Sequence, residues 1–251
     1  MAKSSGLGDN FYISAFDLSN DVNSLGTVSN ATSPLEMTGI DKSAVERIIG
    51  QRSGTIEFVT YFNDTSSGRA HPVLSVLPTT DKIVSYFRGT TLGNSAASMT
   101  AKQINYDGTR AADGMLTFAV QAFSNGYGLE WGQMLTAGKR TDAVATAASS
   151  STSIDTAASA SFGGQAYLHV FAFSGTDVTI KIQDSADNAS FSDVASFAFT
   201  TVTGTTQERI AIGNTATIRR YVSVATTTSG GFTSVQFAVN VVKNPTAGLV
   251  F

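Results

Sequence analysis

His71 and His169 are the only histidines among the 251 residues, and there is no cysteine. They stand far apart: His71 directly precedes Pro72, and His169 lies inside the apolar run YLHVFAF. A zinc centre needs three or four nitrogen, sulfur or carboxylate ligands converging on one point, and this inventory does not suggest one. A Ser–His–Asp triad needs a histidine beside an exposed nucleophile, and no GxSxG elbow occurs in the sequence. Carboxylates come in near pairs, Asp184 with Asp187 and Asp107 with Asp113. The segment DSADNASFSD has oxygen donors of the kind calcium takes, but not the twelve-residue loop closed by a glutamate. A hairpin turn rich in Asp and Asn needs no ion to explain it. GLGDN and FGGQ have glycines without the spacing of a phosphate or dinucleotide loop. Asn30, Asn63 and Asn188 fit the glycosylation sequon, which has meaning only on a secretory route. The residues therefore point away from an enzyme, with no catalytic set, no cofactor and no metal expected.

Charged residues make up 14% of the chain, well below the roughly 25% of an average globular protein. Ser, Thr, Ala and Gly take their place. A net charge of −3 provides no basic footprint for gripping nucleic acid. No apolar run approaches the length of a membrane span, and MAKSSGLGDN shows no secretory h-region, so neither a membrane nor an export route is expected. The stretch Thr141–Ser161, TDAVATAASSSTSIDTAASAS, has almost nothing but small residues. Such a run cannot bury enough apolar surface to fold by itself. It divides the chain into an expected first domain over 1–140, a linker over 141–153 and a second domain over 154–251.

In the first part, Phe11–Phe16 reads as the opening strand, with shorter strands over Leu25–Val28 and Leu35–Met37. Thr38–Gly54 reads as a long polar excursion in which Asp41 caps a single helical turn over Ser43–Ile48. It is either a surface loop or an arm that docks on a neighbouring subunit. In Thr55–Phe62, Ile56, Phe58, Thr60 and Phe62 share one face and Thr55, Glu57, Val59 and Tyr61 the other. A short helix is expected over Pro72–Leu77, stopped by Pro78. Strands follow over Ile83–Arg88, Ala97–Asn105 and Met115–Phe123, the last two flanking a hairpin end at YDGTRAADG. Leu116, Phe118, Val120 and Ala122 form the apolar face of the last, and Trp131 is expected to close this first core. Six short strands in the second part (Ala166–Phe173, Val178–Gln183, Ala195–Val202, Arg209–Ile212, Arg220–Thr226 and Ser234–Val242) are separated by turn clusters, as in an all-β sandwich. In the last, Val235, Phe237, Val239 and Val241 point inward. The fold class is mainly β, with one short helix.

Several stretches, GLGDNFYISAFDLSNDV, TGIDKSAVERI, AHPVLSVLPTTDKIVSYFRGT, AKQINYDGTRAADG and NGYGLEWGQMLTAGKRTD, resemble tail proteins of long-tailed bacteriophages, especially those of actinobacteria. The order of elements in the first part is similar to the tail-tube fold, a β-sandwich or barrel with one short helix and a long loop between early strands. The second part resembles the immunoglobulin-like or jelly-roll sandwiches appended to phage structural proteins. The resemblance implies a major tail protein whose subunits form rings, hexameric in that family, stacked into a tube through which DNA passes without specific binding. Its partners would be itself and other tail proteins, in a virion assembled in the bacterial cytoplasm. It also implies a contact loop including Ile40, Asp41, Lys42, Val45, Arg47, Ile48 and Arg52. Thr55, Glu57, Thr117 and Gln121 would face the lumen. The alternative is a minor-tail or capsid-decoration protein that binds host-surface glycans through the second part. VTIKIQDSADNASFSDV is similar to the strand–turn–strand of carbohydrate-binding sandwiches, though Phe191 stands where those usually carry Trp.

Overall fold

Alternating side chains decide most of the architecture seen in the computed structural model, which describes residues 5–246. Seventeen strands and one short helix form two sheets. In chain order the first elements are β1 (Asn10–Ile13), β2 (Phe16–Asp17), β3 (Val22–Glu36), β4 (Arg47–Tyr61), α1 (Ala70–Leu74), β5 (Lys82–Phe87), β6 (Ser95–Gln103), β7 (Asp107–Arg110), β8 (Leu116–Ser124) and β9 (Glu130–Met134). The later ones are β10 (Arg140–Asp142), β11 (Ser153–Asp155), β12 (Gly164–Gly175), β13 (Thr179–Ser185), β14 (Ser192–Ala198), β15 (Thr206–Ile212), β16 (Tyr221–Thr227) and β17 (Phe232–Lys243). The fold is mainly β, as the alternating patterns indicate.

One large sheet runs in the order β15-β12-β17-β9-β6-β5-β1-β2, with β3, β4, β7 and β8 branching from β6. A smaller sheet, β11-β16-β13-β14, packs over one face of β12, β15 and β17. Between them lies the largest core, containing Val235, Phe237, Val239 and Val241 as their alternation requires, with Ile180, Ile182, Val222, Val224 and Phe197 opposite. A second core holds Phe11, Ile13, Val84, Met99, Ile56, Phe58, Val120 and Ala122, closed by Ala70 and Leu74 of α1.

The remaining face of the large sheet curls on itself, so that β1, β5, β6 and β9 meet β12, β15 and β17 across a polar interior. There Asn240 Nδ2 donates to Ser98 Oγ at 2.9 Å, and Ser98 Oγ lies 2.8 Å from Ser85 Oγ. Ser85 Oγ is in turn 2.9 Å from His169 Nε2. Arg209 reaches Glu130 at 3.0 Å, the Tyr167 hydroxyl donates to the same carboxylate, and Tyr127 stacks over the guanidinium at 3.7 Å. Apart from the Ser85–Ser98 pair, these contacts join residues before 140 to residues after 160. Around the small-residue stretch, Thr141 and Asp142 pair with Gln236 and Val235, and Ser153–Asp155 pairs with β16. Thr146 exchanges backbone hydrogen bonds with Thr226 in between.

Local departures from the sequence reading have local causes. Phe11–Phe16 is not one strand: Ser14 and Ala15 both adopt positive φ (52° and 67°), making a tight turn that the Ala15 N–H anchors on His169 Nδ1. Leu25–Val28 and residues 35–36 are parts of one fifteen-residue strand, β3, which ends just before Met37. Thr38–Gly54 is not a loop with a helical turn. The ladder resumes at Arg47, so only residues 37–46 connect the two strands, and cross-strand pairing of Leu35 with Ile48 and Pro34 with Ile49 replaces the helix. The short helix begins two residues early and ends at Leu74, with the Ala70 N–H held by Asp21 Oδ2 at 3.0 Å. Phe62 lies past the end of β4, 38% exposed against His71 and Phe118. Trp131 does not close the first core, being 46% exposed.

Candidate functional site

The most unusual surface is the ribbon formed by β3 and β4. From Val22 to Ser29 it lies on the body, where β4 pairs with β8 as far as Thr55 opposite Phe123. Beyond that register only the two strands hold each other. Residues 30–49 are exposed without interruption. Seven residues of β3 past this point carry the ribbon roughly 20 Å from the body at a rise of about 3.3 Å per residue.

Its root is defined by close packing. Gly54 N donates to Ser124 Oγ at 2.8 Å, and a Cβ at Gly54 would fall 2.5 Å from the backbone nitrogen of Leu129. A side chain there would push the ribbon off the body. Further out, Leu35 and Ile48 pair on one face and Pro34 and Ile49 on the other. With Met37, Ile40 and Val45 they make an apolar tip exposed on both sides, Ile49 at 80% and Ile40 fully. An isolated two-stranded ribbon is marginal in water, and apolar clusters this exposed mark contact surfaces. The outer edge of β3 has no partner strand over fifteen residues and carries no lysine or arginine to discourage pairing. Lys42 lies 3.6 Å from Glu46 and 3.9 Å from Asp41, exposed pairs that contribute little to stability.

Of the expected contact residues, the structure brings Ile40, Asp41, Lys42 and Val45 together in the tip, with Arg47 and Ile48 at the start of β4. Arg52 sits lower, half-buried at the root beside Gly128. Leu35, Met37 and Ile49 belong to the same surface and were missed. Their signal was present in the sequence, because β-branched and long apolar residues flank the excursion on both sides.

Thr55, Glu57, Thr117 and Gln121 lie on one half-buried face of β4 and β8, opposite the core face containing Ile56, Phe58, Val120 and Ala122. Glu57 and Gln121 are direct cross-strand partners, Gln121 Nε2 donating to Glu57 Oε1 at 3.0 Å while Thr27 Oγ1 donates to Oε2 at 2.9 Å. Thr117 stands between Tyr61 and Thr109. The strand pairing continues this face to Asp107 on β7 and to Lys102 on β6, whose ammonium is 2.8 Å from Asp81. The face thus carries several hydroxyls, one amide, two carboxylates and one cation held by a third, with Val59, Ala119 and Phe123 among them.

The remaining candidates for chemistry are accounted for by structure. His169 and Ser85 are both fully buried, so no substrate reaches them. Burial also lowers the imidazole pKa to about 3, leaving the ring neutral. Because Nδ1 accepts from Ala15 N–H, Nε2 carries the proton and donates to Ser85. That is the reverse of what a general base requires. His71 is enclosed by Phe62, Tyr106 and Phe118. Asp184 is occupied by Arg219 at 2.5 Å, and Asp187 accepts the N–H groups of Ala189 and Ser190 within its own turn. Among the described residues no group of three or more His, Asp or Glu is placed to hold a metal. None of their helices is long and apolar enough to cross a membrane.

No protein-family model matches the chain, and no curated protein does. Among solved structures, a chain from the virion of a native gene transfer agent particle aligns with 51% of this chain and 98% of its own, at 12% identity and a TM-score of 0.39. The Dit protein of SPP1, a paradigm of the hub adsorption apparatus in phages infecting Gram-positive hosts, aligns with 94% of this chain and 99% of its own, at 10% identity and a TM-score of 0.32. Alignments this shallow fix neither fold nor role.

Proposed function

We propose that this chain is a structural subunit of a phage tail, a major tail-tube protein that assembles with copies of itself into stacked rings, hexameric as in the family it resembles. One observation carries the reading: a ribbon of twenty consecutive exposed residues, 30–49, presents an apolar tip that no other described residue covers. A soluble chain does not leave Leu35, Met37, Ile40, Val45, Ile48 and Ile49 in water unless another surface receives them. A second copy is the partner we assign, with the ribbon reaching a neighbouring subunit or ring.

The face with Thr55, Glu57, Thr117 and Gln121 is proposed to line the lumen. A channel that lets DNA slide must be hydrated and must not hold phosphate through free cations. The stretch 141–153 is proposed as a change of role rather than an independent folding boundary: the part before it forms the rings, and the sandwich after it faces outward. The two share one sheet and the polar interior between them.

The test is sedimentation velocity of the full chain against the double variant Ile40→Asp/Ile49→Asp. Both positions are so exposed that the substitutions should change subunit stability by no more than about 0.5 kcal/mol each. The wild type should form large, concentration-dependent species and the variant should remain a folded monomer. Assembly of the variant at wild-type concentrations would show that the tip is not the contact.

A further inference from the structure

Beside α1 lies an apolar hollow of about 150 Å³, walled by Phe16, Pro72, Val73, Val76 and Pro78, with Lys82 at its edge. Val76 is 68% exposed and Phe16 is exposed as well, so neither is spent on the subunit's own core. Leu77, between two of the wall residues, takes the left-handed backbone at φ 42°, where a helix end usually has glycine. It too is exposed. Strain kept for a leucine that buries little in its own subunit is accounted for if another surface covers it.

The ribbon tip cannot reach this hollow in its own subunit. α1 is tied to the foot of β3, where Asp21 Oδ2 accepts the Ala70 N–H at 3.0 Å. The tip stands at the other end of that fifteen-residue strand, roughly 45 Å away at about 3.3 Å per residue. The two apolar surfaces therefore belong to opposite ends of the molecule. If they meet, they meet between copies, and the contact is head-to-tail. Each copy then offers a tip to one neighbour and a hollow to another, an arrangement that closes into rings or runs on as a stack.

Size, polarity and charge match. A dry apolar site of about 150 Å³ takes one benzene-sized group, and the fully exposed Ile40 side chain at the apex of the ribbon is of that size. Two of the wall residues are prolines without an N–H, and the Gln103 amide that also borders the hollow already donates to the Leu74 and Asn105 carbonyls, at 2.8 and 3.1 Å. A small polar ligand finds little there to hold it. The carboxylates next to the lining residues, Asp17 and Asp81, are taken by Lys139 and Lys102. Lys82 has no ion-pair partner among the described residues. The tip brings Glu36, Asp41 and Glu46 against Lys42 and Arg47, a carboxylate excess of one.

We propose that the hollow beside α1 is the receptor for the ribbon tip of a second copy, with Ile40 seated in it and Met37 and Val45 lying against Val76 and Leu77. This rests on the self-assembly read above and names the surface that receives it.

The test mixes two full-length variants: Ile40→Asp/Ile49→Asp, which has lost the tip, and Val76→Asp, which has lost the hollow. Val76 is exposed enough for the subunit itself to tolerate the change, and circular dichroism checks that it does. Each variant alone should stay monomeric at about ten times the concentration at which the wild type assembles. The equimolar mixture should sediment as a dimer and nothing larger, because one intact tip meets one intact hollow. A second measurement avoids the added charges. Ile40→Cys mixed with Val76→Cys, in a chain with no other cysteine, should give an oxidised heterodimer, and neither should cross-link alone. If Val76→Asp assembles like the wild type while the tip variant does not, the hollow is overturned as receptor and the tube reading stands. Ile40→Cys cross-linking to itself would replace it with a symmetric tip-to-tip contact. A wild type that never assembles would remove both readings.

Discussion

His169 provides a stability test that is independent of assembly. The ring is fully buried between Ala15 N–H and Ser85 Oγ, with Tyr12 and Phe171 about it, and its pKa falls from 6.5 to about 3 because burial penalises the charged form. For a base whose folded pKa is depressed, the unfolded chain takes up the proton first as pH falls. Its contribution to stability is complete above pH 6.5 and declines toward pH 3. The slope approaches 1.36 kcal/mol per pH unit, so lowering the pH from 8 to about 4.5 should remove about 2.7 kcal/mol through this residue alone. Carboxylates begin to titrate at the lower end of that window in both proteins, so the histidine's share is the difference between wild type and variant. The assay is urea unfolding of the monomeric subunit at pH 8, 6 and 4.5, against His169→Gln. The variant should be less stable at pH 8, since the amide leaves part of the ring's volume beside Tyr12 and Phe171 unfilled, but with no titratable nitrogen it should show a much shallower decline. A wild type equally stable at both ends, or a variant with the same slope, would refute the placement of a neutral, sealed imidazole.

Three further outcomes follow from the same contacts. Arg209→Leu strands the Glu130 carboxylate, whose side chain is 1% exposed, and should cost about 3–5 kcal/mol by chemical denaturation, whereas an ordinary surface arginine costs little. Trypsin should cut the free subunit first after Lys42 or Arg47, within the uncovered ribbon, and both sites should be protected in assembled material; early cleavage elsewhere, or no protection on assembly, would count against the ribbon as a contact. Glu57→Lys with Gln121→Lys loses two half-exposed hydrogen bonds, about 1–3 kcal/mol together. The doubly substituted tubes should still form, but DNA ejection should slow, most at low salt, and unchanged ejection kinetics would place that face outside the lumen.

The parts of the fold that alternation controls were legible in the sequence. Ile56 and Phe58, and Val235 through Val241, repeat every second residue because one face of each strand is buried, and all of them are in the cores. β3 was not legible as one strand, because Val22, Leu25 and Val28 pack on the core at a spacing that bulges shift from every second residue, and beyond Ser29 neither face is buried. The ribbon's length depends on pairing between residues up to twenty-odd positions apart across a polar connection, which the helical signal around Asp41 obscured. The polar interior was hidden for another reason: Ser85, Ser98, His169 and Asn240 look like surface residues until the sheet curls and lets them satisfy one another. Lumen candidates were recognisable as a face, and the cross-strand bond of Glu57 to Gln121 shows that they share it. Trp131 misled, since a lone tryptophan usually fills a core, and here the junction of two layers leaves it half outside.

The most direct measurement of the central claim is electron microscopy of the purified full-length chain, concentrated alone and beside Ile40→Asp/Ile49→Asp. The account predicts hollow tubes of stacked rings from the wild type and dispersed subunits from the variant. Wild-type protein that remains dispersed while folded, or variant protein that builds the same tubes, would contradict it.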